Sequence, residues 1–418
     1  MRFVDEFRQQ PLAQGLARAL ARAAERLPRP IHIMEVCGGH THAIFRFGLH
    51  DLLPPQVRLI HGPGCPVCVT PRSRVEQAIA LARQPGTILT CFGDMLRVPG
   101  HRTSLLGARA EGADVRMVYS ALDALEIARA HPDRRVVWFA IGFETTIPGN
   151  AMAALRARGM GLQNFYLLTH QVLLPPALRA ILDAPDVRVD AFIGPGHVST
   201  IIGTEPYRFV AEEYGRPVVI SGFEPLDLLQ SILMIVRQVA EGRAEVEVQY
   251  RRAVPPRGNP IALRAMAEVF TPVTQEWRGL GMLPESGLGL RPEFAEMDAD
   301  RAFPDLAPGE LPDPRACACG EILRGVRTPP ECPVFGTGCT PEHPLGACMV
   351  SPEGACAAYY RYRPHRSGRA EAAAAKAGDP EAAAAAAPAA GTPAATPGPG
   401  TPAATPAAGP SAPGGESR

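Results

Sequence analysis

Three cysteines and three histidines near the amino terminus are of types and at spacings that can do chemistry. They occupy two short stretches, Cys37-Gly38-Gly39-His40-Thr41-His42 and His61-Gly62-Pro63-Gly64-Cys65-Pro66-Val67-Cys68. A thiolate beside an imidazole is a nucleophile or a soft-metal ligand, and Cys65 with Cys68 forms a C-x-x-C pair able to chelate a metal or close a disulfide. A lone cysteine after an apolar run is more often a small buried hydrophobe. That reading suits Cys91, inside its apolar run, better than three thiols set among Gly, Pro and His. A second group, Cys317, Cys319, Cys332, Cys339, Cys348 and Cys356, places six thiols within forty residues. Its Gly- and Pro-rich surroundings hold too little apolar content for a core, so a metal or iron–sulfur centre is the economical support. The spacings match neither a doubled C-x-x-C zinc site nor a bacterial ferredoxin run; a four-thiolate cluster with two spare cysteines fits better.

These residues need elements to position them. Ile31 to Val36 and Val57 to Ile60 are apolar runs of strand length, each ending at one of the first two motifs. Further strands are expected at Thr87 to Cys91, Val115 to Tyr119, Arg135 to Ile141, Phe165 to Leu168, Val189 to Ile193 and Pro217 to Ile220. Helical patterns lie between them, so the chain reads as βαβ units with parallel sheets. Polar or Gly-rich loops follow these strands: Phe92-Gly93-Asp94-Met95, Gly142-Phe143-Glu144-Thr145-Thr146, Thr169-His170-Gln171, Gly194-Pro195-Gly196-His197 and Ser221-Gly222-Phe223-Glu224-Pro225. Open α/β sheets place their sites in such loops. Gly194-Pro195-Gly196-His197 echoes Gly62-Pro63-Gly64-Cys65, which suggests two similar domains facing each other across a cleft, with Glu144, His170 and His197 opposite the thiols. For Glu144, Thr145, Thr146 and His170 the plain alternative is a cap or a hydrogen-bonded loop residue. Pro11 to Leu27 has amphipathic helical spacing. Thr70 and Pro71 read as the start of a helix to Leu81, whose amino terminus would favour thiolate at Cys65 and Cys68. From Pro255 to Pro314 the strand pattern is lost, leaving a helix over Ile261 to Phe270.

The expected fold class is α/β, with two similar parallel-sheet α/β domains around a cleft and a smaller irregular iron–sulfur module. The domains divide as 31–140 and 141–254, the module as 1–30 with 255–366, and an Ala/Pro-rich tail over 367–418 is expected to be disordered. Of 418 residues, 46% are hydrophobic, and 42 basic side chains balance 42 acidic ones. That balance gives no electrostatic case for nucleic acid or an anionic membrane. No apolar stretch is long enough for a membrane span and the amino terminus lacks a secretory h-region, so a cytoplasmic location is expected, where ten cysteines read as metal ligands or redox thiols. No phosphate-binding or dinucleotide glycine motif is present.

Five stretches together resemble a known family: Cys37-Gly-Gly-His-Thr-His-Ala-Ile44, Gly62-Pro-Gly-Cys-Pro-Val-Cys68, Gly142-Phe-Glu-Thr-Thr146, Gly194-Pro-Gly-His197 and the run from Pro344 to Tyr360. Over Phe3 to Tyr362 the chain resembles the hydrogenase maturation protein family HypD. The resemblance implies two similar α/β domains and a module with a [4Fe-4S] cluster. It also implies a scaffold, shared with a small HypC-like chaperone, on which iron acquires cyanide and carbonyl as Fe(CN)2CO before delivery to the large subunit of a [NiFe] hydrogenase. HypE/HypF-type cyanide-delivery proteins are further implied partners. Carried over by position, Cys37 holds the nascent iron with His40 beside it, and Cys65 and Cys68 are a redox pair that can also reach that iron. Gaps of fourteen, six and sixteen residues select Cys317, Cys332, Cys339 and Cys356 as cluster ligands, with Cys319 the alternative first ligand and Cys348 outside the set. Glu353, in the matching Glu-Gly-Ala-Cys segment, links cluster to cleft. Soft thiolates suit low-spin iron, and a cluster beside a dithiol can supply electrons. Two other readings use the same residues: an iron–sulfur oxidoreductase relaying electrons through the dithiol to a small molecule, and a structural zinc protein.

Overall fold

The structure, a computed structural model, describes residues 5–307, 309 and 311–363; the tail expected over 367–418 lies outside the described residues. Eleven strands are assigned: β1 Ile31–Glu35, β2 Val57–His61, β3 Thr87–Cys91, β4 Val115–Met117, β5 Arg135–Gly142, β6 Phe165–Val172, β7 Ala191–Pro195, β8 Val218–Ser221, β9 Val246–Val248, β10 Phe270–Trp277 and β11 Gly281–Leu290. They form two sheets, ordered β2-β1-β7-β8-β9 and β10-β11-β6-β5-β3-β4. The first is parallel throughout, and the second is parallel except where β10 and β11 add antiparallel to β6. The α/β class and its parallel-dominated sheets agree with the sequence.

Strands covered by helices on both faces lose the alternation of a half-exposed sheet. All eight residues of β5 but Arg135 are buried, as are all of β3, β7 and β8. The helix Gln10–Ala24 carries Pro11 in its first turn, where the missing N–H costs nothing, and packs on the helix Pro225–Ala240, burying Leu20 and Ala24.

The expected division at residue 140 does not follow the sheets. β1 pairs with β7, Met34 opposite Phe192, so the first sheet takes residues from 31–61 and from 191–248. The second takes 87–172 and returns at 270–290. Helical crossovers look alike whichever sheet they lead to, so sequence order alone assigns strands to the wrong partner. The first echoed Gly-Pro-Gly follows β2 and the second closes β7; these strands flank β1 in one sheet, so the echo does not mark corresponding points of two domains.

A second correction concerns 270–290, where no strand was expected. β10 and β11 form a hairpin whose ladder shifts register between Val273 and Gln275. Pro272, Pro284 and four glycines in these strands and their turn imitate a loop. β10 is an edge strand, where proline is tolerated, and Phe270, Gln275 and Trp277 alternate inward along it.

Candidate functional site

The carboxyl ends of both sheets open onto a cavity of about 530 Å3. From the first sheet it is lined by Cys37, Gly64, Pro66 and His197, from the second by Phe92, Asp94, Phe143 and Thr146, and from the cysteine-rich segment by Ser351 and Glu353. Its walls are mostly apolar, and Tyr119, 85% exposed, stands at its edge.

Cys37 precedes the helix Gly38–Arg46. A fully buried carboxylate, Glu35, fixes the turn: it accepts from Cys37 N–H (3.1 Å), from the Thr41 hydroxyl and from His61 Nδ1 (2.6 Å). Gly38 N–H donates to Gly64 O (2.9 Å), joining the two motif loops. That approach demands glycine at 64, since a Cβ there would lie 2.5 Å from Cys37 Cα. Burial first, then the Glu353 and Glu35 carboxylates, push the Cys37 thiol up to about 12, against the N–H groups of Gly39 and His40 that favour thiolate. Unligated Cys37 is therefore a thiol at neutral pH, and a metal must displace its proton to bind.

His40 is held in one tautomer. Its Nε2 lies 3.3 Å from Ser221 O, and a carbonyl only accepts, so Nε2 carries the hydrogen and Nδ1 is a buried lone pair without a partner among the described residues. Burial lowers its pKa to about 4. The ring stacks on Phe223 (4.7 Å between centroids), which also stacks with His197 (3.8 Å). The Phe223 loop was singled out in the sequence only as one Gly-rich strand end among several.

Cys65 and Cys68 are buried free thiols behind the cavity wall, in the short helical turn Pro66–Val69 that Cys65 caps. The following helix starts at Arg72 after Pro71, not at Pro71. Cys68 N–H donates to Cys65 Sγ (3.3 Å). Burial raises Cys68 well above the usual thiol range, followed by Cys65, Cys356 and Glu353, so the expected bias to thiolate is absent at this sulfur. Cys356 and Glu353 are thus within electrostatic reach of Cys68.

Glu144 and His170 take the plain alternatives. Glu144 is buried, accepts from Leu174 N–H (3.0 Å) at the start of the helix Leu174–Asp183, and has its carboxyl raised to about 7 by burial. His170 Nδ1 pairs with Gln275 Nε2 (2.9 Å). Thr146 precedes the helix Ile147–Gly159 and donates to Phe143 O (3.1 Å). Cys91 is core.

In the carboxyl-terminal segment, Cys319 and Cys348 form a disulfide. The alternative first ligand is thus paired with the spare cysteine, and Cys317 remains with Cys332, Cys339 and Cys356. These four lie within electrostatic reach of one another: after burial, Cys317, Cys339 and Cys332 raise Cys356, and Cys332 and Cys339 raise Cys317, which reaches about 11. Leu345 N–H donates to Cys339 Sγ (3.3 Å), a bond that suits a ligating sulfur. Among the described residues no three His, Cys, Asp or Glu side chains converge on a single metal ion. A cubane cluster spreads its four thiolates around four irons, and an all-thiol donor set of this kind fits it better than a mononuclear site. The turn Ala347–Met349 packs on Pro66–Val69, and the helix Ala355–Tyr362 packs on the helix after Cys37, so the segment abuts both motifs.

A family model named HypD, described as the hydrogenase formation hypA family, matches residues 11–363. The chain belongs to the HypD family. It is 55% identical over 370 residues to the hydrogenase maturation factor HypD of Rhizobium leguminosarum bv. viciae, covering 87% of this chain and 96% of that one. It is 50% identical over 372 residues to HypD of Escherichia coli strain K12, covering 88% and 100%. The chain is therefore a hydrogenase maturation factor. No helix among the described residues is long and apolar enough to cross a membrane.

Proposed function

We propose that the chain is the scaffold on which iron receives cyanide and carbonyl, held by Cys37 and by a thiol of a small HypC-like partner, before delivery to a [NiFe] hydrogenase large subunit. The observation that carries this reading is the juxtaposition at one cavity. Cys37 and Glu353 share its wall, Cys65 and Cys68 lie directly behind it, and four further thiols adjoin through Cys356.

One protein thiol is too few ligands for an iron carrying diatomic groups, and the open cavity leaves room for a partner to supply another. The apolar walls keep bulk water from the nascent iron, while Glu35 and the paired loops hold the Cys37 sulfur in place. Cys317, Cys332, Cys339 and Cys356 would hold a [4Fe-4S] cluster, which when bound supplies single electrons. Glu353, its carboxyl raised by burial and then by Asp94 and Glu35, is within electrostatic reach of both Cys37 and Cys68. The dithiol and the Cys319–Cys348 disulfide are adjacent exchange partners in this reading, with HypE/HypF-type proteins bringing cyanide.

The complex with its partner, isolated without oxygen from cells making hydrogenase, is expected to show infrared bands of iron-bound cyanide and carbonyl. Cys37→Ala should abolish them and leave cluster absorbance intact. Undiminished bands in that variant would overturn the assignment. Absence of the bands from the wild-type complex, with turnover of a soluble redox substrate, would favour the oxidoreductase.

A further inference from the structure

The unexpected hairpin touches both cysteine systems through closely spaced residues. Glu276 accepts from Ser73 Oγ (2.9 Å), at the start of the helix that follows the dithiol turn. Arg278 donates its backbone N–H to Val69 O (2.9 Å), its Nε–H to Thr70 O (2.9 Å) and an Nη1–H to Asp313 Oδ1 (2.6 Å). Gly279 lies against Gly320, where a Cβ would come within 2.6 Å of Gly320 Cα. Val69 and Thr70 close the turn that Cys65 opens, Asp313 lies four residues before Cys317, and Gly320 follows Cys319.

One side chain thus bonds the backbone just after Cys68 and a carboxylate just before Cys317. Arg278 is 3% exposed, and a guanidinium at that depth is tolerable only because Asp313 pairs it. The guanidinium is planar and rigid, so its diverging Nε–H and Nη1–H reach Thr70 O and Asp313 at once; an ammonium cannot span them in the same way. We propose that Arg278 is the positioning residue of the dithiol: it fixes the Cys65–Cys68 turn against the Cys317 segment. This rests on the relay reading above.

The test equilibrates the anaerobic full chain with glutathione and counts alkylated Cys65 and Cys68 peptides by mass spectrometry. In the measured exchange the two thiols give two electrons and two protons to glutathione disulfide; its S–S bond breaks, the Cys65–Cys68 bond forms, and two glutathione thiols are released. Arg278→Lys and Arg278→Met are expected to change the exchange constant at least tenfold, about 30 mV, and to speed alkylation of Cys68 at least tenfold in the reduced chain. Asp313→Asn, which keeps an acceptor and removes the charge, should move both in the same direction by less, and serves if the Arg278 variants do not fold. Arg29→Gln, which breaks the Arg29–Asp190 pair beside the starts of β1 and β7, should lower the melting temperature without moving either quantity. Loss of melting temperature in the Arg278 and Asp313 variants, with exchange constant and alkylation within twofold of wild type, would reduce Arg278 to a structural ion pair and overturn the proposal. If wild-type Cys65 and Cys68 do not exchange at any glutathione ratio, the relay reading fails. The alkylation rates then decide the positioning role alone: a tenfold rise upholds it and an unchanged rate overturns it.

Discussion

Glu144 offers a stability experiment whose sign and size come from its surroundings. The side chain is buried, one oxygen accepts from Leu174 N–H, and the other has no partner among the described residues. Its carboxyl, 4.5 when unperturbed, is raised to about 7. A folded-state pKa above the unfolded one means that between pH 4.5 and 7 the folded chain binds more protons, so stability falls as pH rises through that window. Below it both states are protonated and there is no penalty; above it the buried charge costs about 3 kcal/mol at 1.36 kcal/mol per pH unit. Glu144→Gln keeps the acceptor for Leu174 N–H and removes the ionisation. The variant should therefore match wild type within about 1 kcal/mol near pH 4.5 and exceed it by about 3 kcal/mol at pH 8. Urea unfolding followed by tryptophan fluorescence reads this directly, because Trp138 and Trp277, the only tryptophans, are buried in the second sheet. A stability difference that does not change between pH 4.5 and 8 would refute the reasoning.

Three further outcomes are expected. Cys317→Ala, Cys332→Ala, Cys339→Ala and Cys356→Ala should each bleach the visible absorbance of the anaerobic protein, whereas Cys319→Ala should keep it; loss on Cys319→Ala with retention on Cys317→Ala would reverse the ligand assignment. Gly64→Ala drives a methyl into the backbone at Val36 and Cys37, and should cost about 1–3 kcal/mol in urea unfolding and most of the Cys37-dependent infrared signal; wild-type behaviour in both would show the loops are not in contact. His40, neutral by burial with its pKa near 4, contributes stability that is complete above its ordinary 6.5 and is lost as pH falls towards 4; His40→Asn should flatten that acid limb, and an unchanged limb would place the loss elsewhere.

The site was legible because strand-end loops announce themselves: Cys37, Gly64, Cys65 and His197 stand in Gly/Pro surroundings directly after apolar runs. That the three loops stand side by side on one sheet, and not across a cleft between two domains, was not, because the partner of β1 lies at Ala191 and no local pattern records a pairing that distant. The hairpin escaped because Pro272 and Pro284 read as breakers, while a register shift beside an edge strand accommodates them. The Cys319–Cys348 pair is separated by 29 residues and could be drawn from six thiols in many ways. Arg278 carried no signal at all, since an arginine among so many is marked only by its burial.

The chain's route between the sheets bears on how it is made. β1 meets its neighbour β7 only after some 150 residues have been added, and β6 waits for β11. At ribosomal speeds of about 5–20 residues per second, the first sheet stays unfinished for on the order of ten seconds. A nascent chain released early would pair β1 with β2 but leave the other edge of β1 open beside three thiols. The cysteine-rich segment follows β11 in the chain, so it is made only after every strand of both sheets has been added.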